Sequence, residues 1–173
     1  RGWYKSIIRD YEGAIEDETL SIAADPDFSS NVYVVRGNCY LALGDLDRAR
    51  ADYKKAIEME PTPDTYSCSQ YAYLGLGNIA KAIEVNDTIL KRNDNAGAYY
   101  DAACLYSRMC NHAKAMEYLK RSLEMGYVNF AHIAQDTDMD YLRQSADFKQ
   151  LIQTFRQKVE QSNEASEPTV STH

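Results

Sequence analysis

Between Tyr33 and Tyr40 the chain sets Tyr33, Arg36, Gly37 and Tyr40 at i, i+3, i+4 and i+7, the stripe of one helix face. Gly44-Asp45 interrupts that pattern. A second stripe then runs through Ala49, Tyr53, Ala56 and Ile57 until Pro61 stops it. The two stripes predict a helical hairpin. Small residues at Gly37, Ala49 and Ala56 let its backbones approach, while Tyr33 and Tyr40 supply bulk to fill the space between hairpins.

The hairpin recurs. Tyr33, Tyr66 and Tyr99 are 33 residues apart, as are Tyr40, Tyr73 and Tyr106, and Ala49, Ala82 and Ala115. Gly44 and Gly77 keep the same step, and Cys110 takes the third place. With only 14 Tyr in 173 residues, two full Tyr columns in one register are not accidental. An earlier partial copy places Ala14 and Pro26 each 35 residues before Ala49 and Pro61. One hairpin leaves apolar surface uncovered, so the copies are expected to stack on one another. The repetition is architectural.

These columns resemble the tetratricopeptide repeat pattern W-x2-L-G-x2-Y…A-x3-F…P. It reads here as Tyr33-x2-Arg36-Gly37-x2-Tyr40…Ala49-x3-Tyr53…Pro61. The next copy keeps Tyr66, Tyr73, Gly77 and Ala82 but has Gln70 for the small residue and Asp94 for the closing proline. The third keeps Tyr99, Ala102, Ala103, Tyr106 and Ala115, with Leu119 at the aromatic place. The resemblance covers roughly residues 1–125 and implies an all-α, right-handed solenoid. Residues 1–29 form a partial repeat; 30–62, 63–95 and 96–125 form three full ones. Trp3 and Tyr4 in the short first helix either pack on the second copy or lie where earlier repeats were removed.

Residues 126–160 break the repeat and read as a helical cap over the last apolar face. A turn at Gly126 leads to a short helix over Phe130–Gln135, then a turn at Asp138–Arg143. A last helix starts at Ala146, with Ser145 as N-cap and Phe148, Leu151, Ile152 and Phe155 on its apolar face. The segment resembles the closing cassette of many bacterial tetratricopeptide proteins, which points to a bacterial source. Residues 161–173 are polar and aperiodic, a disordered tail or a linker.

Charge narrows the function. A net charge of -7 and a pI near 5.0 argue against nucleic-acid binding, which needs a basic face. No apolar run approaches a membrane span. The chain starts at Arg1 without Met and reads as a fragment or processed form. A soluble compartment, cytoplasmic or bacterial periplasmic, is expected. Cys39, Cys68, Cys104 and Cys110 contain no C-x-x-C pair and read as small, mostly buried thiols.

Catalytic motifs are absent: neither G-x-x-x-x-G-K-[ST] nor G-x-S-x-G occurs. Asp136, Asp138 and Asp140 alternate as in half a calcium loop. However, Tyr141 occupies the place that needs Gly, and Asp147 replaces the bidentate Glu. Helix capping is the better reading. His112 and His132 have no partner at a catalytic or metal-binding spacing and read as surface or cap-packing residues. No catalytic residue, metal or cofactor is expected.

The resemblance implies a concave groove lined by the first helix of each hairpin, holding a peptide or partner helix. By alignment, the lining is Asn31, Val34, Asn38 and Leu41 in the first full repeat. It continues with Asp64, Ser67, Tyr71 and Leu74, then Gly97, Tyr100, Cys104, Ser107 and Arg108. Tyr71 and Tyr100 would be aromatic anchors, Leu41 and Leu74 apolar area, and Asn38 a backbone ligand. The alternative is that both tyrosines pack on neighbouring repeats. Some relatives grip acidic C-termini with a carboxylate clamp; Val34 stands at one of its lysine positions, and only Arg108 is basic. The expected function is therefore a non-catalytic protein-interaction module for a partner of mixed apolar and polar character. The competing expectation is an accessory domain of a larger enzyme.

Overall fold

The computed structural model describes residues 2–60 and 68–166, with side chains for 5–60 and 68–162. Pro61, Asp64, Tyr66 and Ser67, the side chains of Trp3 and Tyr4, and residues 167–173 of the expected tail lie outside it. All the described regular elements are helical. They form two compact units, Arg1–Asp94 and Asn95–His173.

The first unit contains α1 (Gly2–Ile7), α2 (Tyr11–Ala24), α3 (Ser30–Ala42), α4 (Leu46–Met59), α5 (Ser69–Gly75) and α6 (Ile79–Arg92). They pair as hairpins α1–α2, α3–α4 and α5–α6. The hairpins stack through α2 on α3 and α4 on α5, and α3 also touches α1 and α5. Each turn within a hairpin uses a left-handed residue: Arg9, Gly44 and Gly77. The next residue caps the second helix, as Asp10, Asp45 and Asn78 accept the N–H of Gly13, Arg48 and Lys81. A helix start leaves its first N–H groups without an internal partner, so the turn column fixes where each second helix begins.

Tyr53 explains why two glycines flank it. Its side chain is fully buried, and a Cβ at Gly37 would lie 2.8 Å from its ring. A Cβ at Gly75 of α5 would collide with the ring's other edge. Ala49, Ala56 and Ala72 complete the close approach, with Val32, Val34, Tyr33 and Tyr40 in the same core. Ala14, Val35 and Cys39 form a second core toward α2. Arg36, standing where the repeat pattern has Leu, makes a buried two-pronged ion pair with Asp52 at 2.8 and 2.7 Å. Its third contact, 3.1 Å to Thr19, ties α3 to α2.

The second unit starts with the hairpin α7 (Ala96–Arg108) and α8 (His112–Glu124). Cys110 takes the left-handed position and Asn111 the cap, donated to by Lys114 N–H. Tyr99 and Tyr106 flank the Tyr118 ring at 6.0 and 5.3 Å, and Leu119 is fully buried. After Gly126 (φ +96°) come α9 (Phe130–Gln135), a 3-10 turn over Thr137–Met139, α10 (Asp140–Arg143) and α11 (Ala146–Ser166). The region read as a plain turn at Asp138–Arg143 is thus helical. Ser145 Oγ accepts the Phe148 N–H at the start of α11. Residues 161–166, read as polar tail, continue that helix.

Candidate functional site

On α3 the expected lining residues diverge. Asn31 is exposed and Leu41 is 38% exposed, whereas Val34 is buried in the core shared with Tyr33 and Ala72. Val34 is therefore a packing residue rather than a surface one: its isopropyl group has little exposed area to offer a ligand. Asn38 is half-buried and accepts the Tyr53 hydroxyl at 2.8 Å, so its carbonyl serves the core. Asn31 Oδ1 lies 3.5 Å from Cys68 Sγ, joining α3 to the segment that opens α5. On α5, Tyr71 and Leu74 are half-buried, and Tyr71 packs on the α3–α4 core. Ser67 falls outside the described residues.

The aligned face of α7 is covered by the chain itself. Tyr100 is 3% exposed, Cys104 2% and Ser107 0%. The 3-10 turn and α10 pack on this helix. The Tyr100 ring stacks on Tyr127 at 4.3 Å and an 8° interplanar angle, and its hydroxyl donates to Asp136 Oδ2 at 2.8 Å. Arg108 Nε lies 3.7 Å from Asp138 Oδ1. Tyr100, Cys104 and Ser107 are thus interior residues, not open groove lining, and Arg108 is turned to the cap's carboxylate. The reason is physical: a helix face carrying Tyr, Ala, Cys and Leu is best covered by whatever apolar segment follows, and here Tyr127, Ile133, Met139 and Leu142 follow.

That contact holds an unusual group of ionisable side chains. Asp136 also receives the Asp138 N–H at 3.0 Å, and His132 Nε2 stands 3.3 Å from its Oδ2. Burial pushes the Asp136 carboxyl up, but hydrogen bonds from His132, Asp138 N–H and Tyr100 outweigh it and hold the group below the usual range. Asp101, on the same face of α7, is pushed up to about 7 by burial and by the charges of Asp136 and Asp138. Asp138 is pushed up to about 6, mainly by burial and despite Arg108. His132 is raised, chiefly by its hydrogen bond to Asp136. Burial, then nearby carboxylates, pushes the Cys104 thiol well above its usual range, which leaves it a poor nucleophile.

The second histidine also finds a carboxylate. His112 Nε2 is 2.7 Å from Asp147 Oδ2, joining the start of α8 to the start of α11. That hydrogen bond, with Ser145, lowers Asp147 to about 2. Both Asp–His pairs were missed in the sequence: His112 and Asp147 are 35 residues apart, and His132–Asp136 lies within a segment read as caps. Capping is nonetheless what Asp136 does at the 3-10 turn. Among the described residues, no three His, Cys, Asp or Glu are arranged to hold a metal ion. No described helix is long and apolar enough to cross a membrane.

Comparison with known proteins bears on the repeats. Residues 30–63 and 96–125 each match the tetratricopeptide repeat family. Over 58 residues the chain is 36% identical to a chloroplastic protein of Arabidopsis thaliana. That stretch is 34% of this chain and 17% of the plant protein, so the chain spans a small part of that relative's length. Two crystal structures of MamA align with 94% and 98% of this chain, and with 96% and 94% of their own chains. Their identity is 20% and their TM-score 0.43 in both cases.

Proposed function

We propose that this tetratricopeptide repeat protein holds a peptide or partner helix against the α3–α5 face of its first unit. Its repeats make it a protein-interaction scaffold; the location of the ligand is the finer reading. What supports that location is a difference in exposure. Leu41 stays open on α3 and Asn38 half-buried, beside half-buried Tyr71 and Leu74, while their counterparts on α7, Ser107 and Cys104, lie beneath the cap.

The face suits a mixed ligand. Leu41, Leu74 and the Tyr71 ring offer apolar area, and a half-buried Tyr presents a rigid anchor with little rotamer freedom to lose. Asn31, exposed on α3, carries an amide able to meet a peptide backbone. The face supplies no Lys or Arg apart from Arg36, whose guanidinium is engaged by Asp52. An acidic tail would therefore find no counter-charge there, and an apolar side chain flanked by polar backbone is the better guest.

A peptide display selection on the immobilised chain tests this, followed by affinity measurement on two variants of matched helicity. Leu41→Asp with Tyr71→Asp should weaken the selected peptides by at least about tenfold, since each places a charge where apolar area is buried. Lys54→Asp with Lys81→Asp, on second helices of the hairpins, should leave them unchanged. Equal affinity for the first variant and the parent would remove the ligand from this face.

A further inference from the structure

We propose that the hairpin α5–α6 is a built-in opening point of the first unit, which unfolds locally while α3–α4 stays folded. The observation that carries this is a pair of buried amides where the other full hairpins bury apolar groups. Gln70 and Asn86 stand 33 residues after Gly37 and Tyr53, and 33 before Ala103 and Leu119. In α3–α4 the glycine admits the Tyr53 ring; in α7–α8 both places are buried and apolar. In α5–α6 both are polar, and Gln70 and Asn86 are only 2% and 1% exposed. Gln70 Oε1 and Asn86 Nδ2 are buried without a hydrogen-bond partner.

A buried amide gives up its hydrogen bonds to water, and folding returns them only where a partner waits. An orphaned acceptor on α5 and an orphaned donor on α6 both work against the closed hairpin, and opening restores both to water. The rest of the hairpin offsets this weakly. Helix α5 has 7 residues, against 13 in each of α3 and α7. The side chains of Ser29 and Asn95 cap α3 and α7, whereas Cys68 gives α5 no such cap. Glu60 Oε2 accepts the Ser69 N–H instead, at 3.3 Å. Ala72 stands where α7 has the fully buried Leu105, and Tyr73 is half-buried where Tyr40 and Tyr106 are buried.

What keeps the hairpin closed is its apolar contact with α3–α4. Ala72 belongs to that core, with Tyr71 packed beside it, and a Cβ at Gly75 would lie 2.4 Å from the Tyr53 ring. Opening therefore bares one edge of Tyr53 and leaves its other edge on Gly37. The boundary between the two compact units falls directly after this hairpin, at Asp94. An open hairpin also withdraws Tyr71 and Leu74 from a ligand. That consequence rests on the groove reading above; the opening itself does not.

Hydrogen exchange followed by mass spectrometry on the full chain, at neutral pH and without any ligand, reads the opening directly. After correction for intrinsic rates, amides of α6 should exchange at least about tenfold faster than those of α4 and α8. Gln70→Ala with Asn86→Leu copies the pair in α7–α8, and should slow α6 at least about tenfold while α2 keeps its rate. Gln70→Gly with Asn86→Tyr copies the pair in α3–α4 and should act in the same direction. Circular dichroism shows which variants are folded. Exchange of α6 in the parent no faster than that of α4 and α8 overturns the proposal, whatever the variants do. So does a folded variant whose α6 exchanges as fast as the parent's.

Discussion

Helices α3 and α7 occupy the same place in their hairpins, yet the C-terminal halves of their aligned faces differ: Asn38 is half-buried and Leu41 exposed, whereas Cys104 and Ser107 are buried. Asn31, Val34, Asn38 and Leu41 on α3 correspond, 66 residues on, to Gly97, Tyr100, Cys104 and Ser107 on α7. Leu41 keeps 38% of its surface, whereas Ser107 keeps none. Packing positions, by contrast, keep the same role in the two hairpins. Gly37 admits Tyr53, and the aligned pair is Ala103 and Leu119, all buried. Where the first helix carries an extra Cβ, the second helix carries a smaller side chain. Alignment within a repeat thus transfers how a hairpin packs on itself. It does not transfer what lies on the hairpin's outer face, because that depends on the next segment of the chain.

The largest effect should come from the buried contacts of the α3–α4 hairpin. Tyr53→Ala should cost about 3–5 kcal/mol in urea unfolding, since the ring fills the space between Gly37 and Gly75. Leu119→Ala, its counterpart in the second unit, should cost about 2–5 kcal/mol. Asp52→Ala should be comparable at about 3–5 kcal/mol, because it strands the Arg36 guanidinium in a site where only 16% of its side chain is exposed. Gly37→Ala should cost about 1–3 kcal/mol by driving a methyl into Tyr53. Adding Tyr53→Leu should cost less than the two single changes summed, as a double-mutant cycle would record. Strict additivity would break the equivalence drawn between the hairpins.

Smaller effects sharpen it. Asn78→Ala and Asn111→Ala should each lose about 1 kcal/mol, because the same cap accepts the N–H of Lys81 and of Lys114. Cys110→Gly should gain up to about 1 kcal/mol, as Cys110 holds φ 56° in the place where the other full hairpins use Gly44 and Gly77. In an NMR titration Asp147 should ionise near pH 2 and return toward the ordinary carboxylate range in His112→Asn. Because its pKa is depressed, its contribution is present above the ordinary range and disappears as pH falls through about 2.

The hairpins could be read from the chain because repetition samples the same physics several times. A single Tyr or Ala says little, but columns at one step expose the packing faces, and Gly44 and Gly77 mark the turns. Arg9 escaped notice since nothing about an arginine announces a left-handed backbone; only its place 35 residues before Gly44 does. The covered face of α7 was harder. Tyr100 and Leu41 are both apolar helix residues on the aligned face, and what separates them is Tyr127 and Asp136, which belong to no repeat. The one available hint was Asp101, a lone charge within the otherwise apolar run Tyr99–Tyr106. The α11 extension through Gln161–Ser166 was missed because polar residues with good helix propensity have no periodic signature.

The contrast between the two faces can be measured on the chain's own thiols. Cys104 lies beneath the cap and Cys110, six residues on, is exposed. A Leu41→Cys variant adds a fifth thiol, on the α3 face, to the four that the chain carries. Labelling with N-ethylmaleimide at pH 6.5, mapped by mass spectrometry, should modify Cys110 and the new thiol at comparable rates. Cys104 should react at least about tenfold more slowly, being both covered and held as the thiol. Cys104 reacting as fast as Cys110, or position 41 as slowly as Cys104, would contradict an open face on α3 and a covered one on α7.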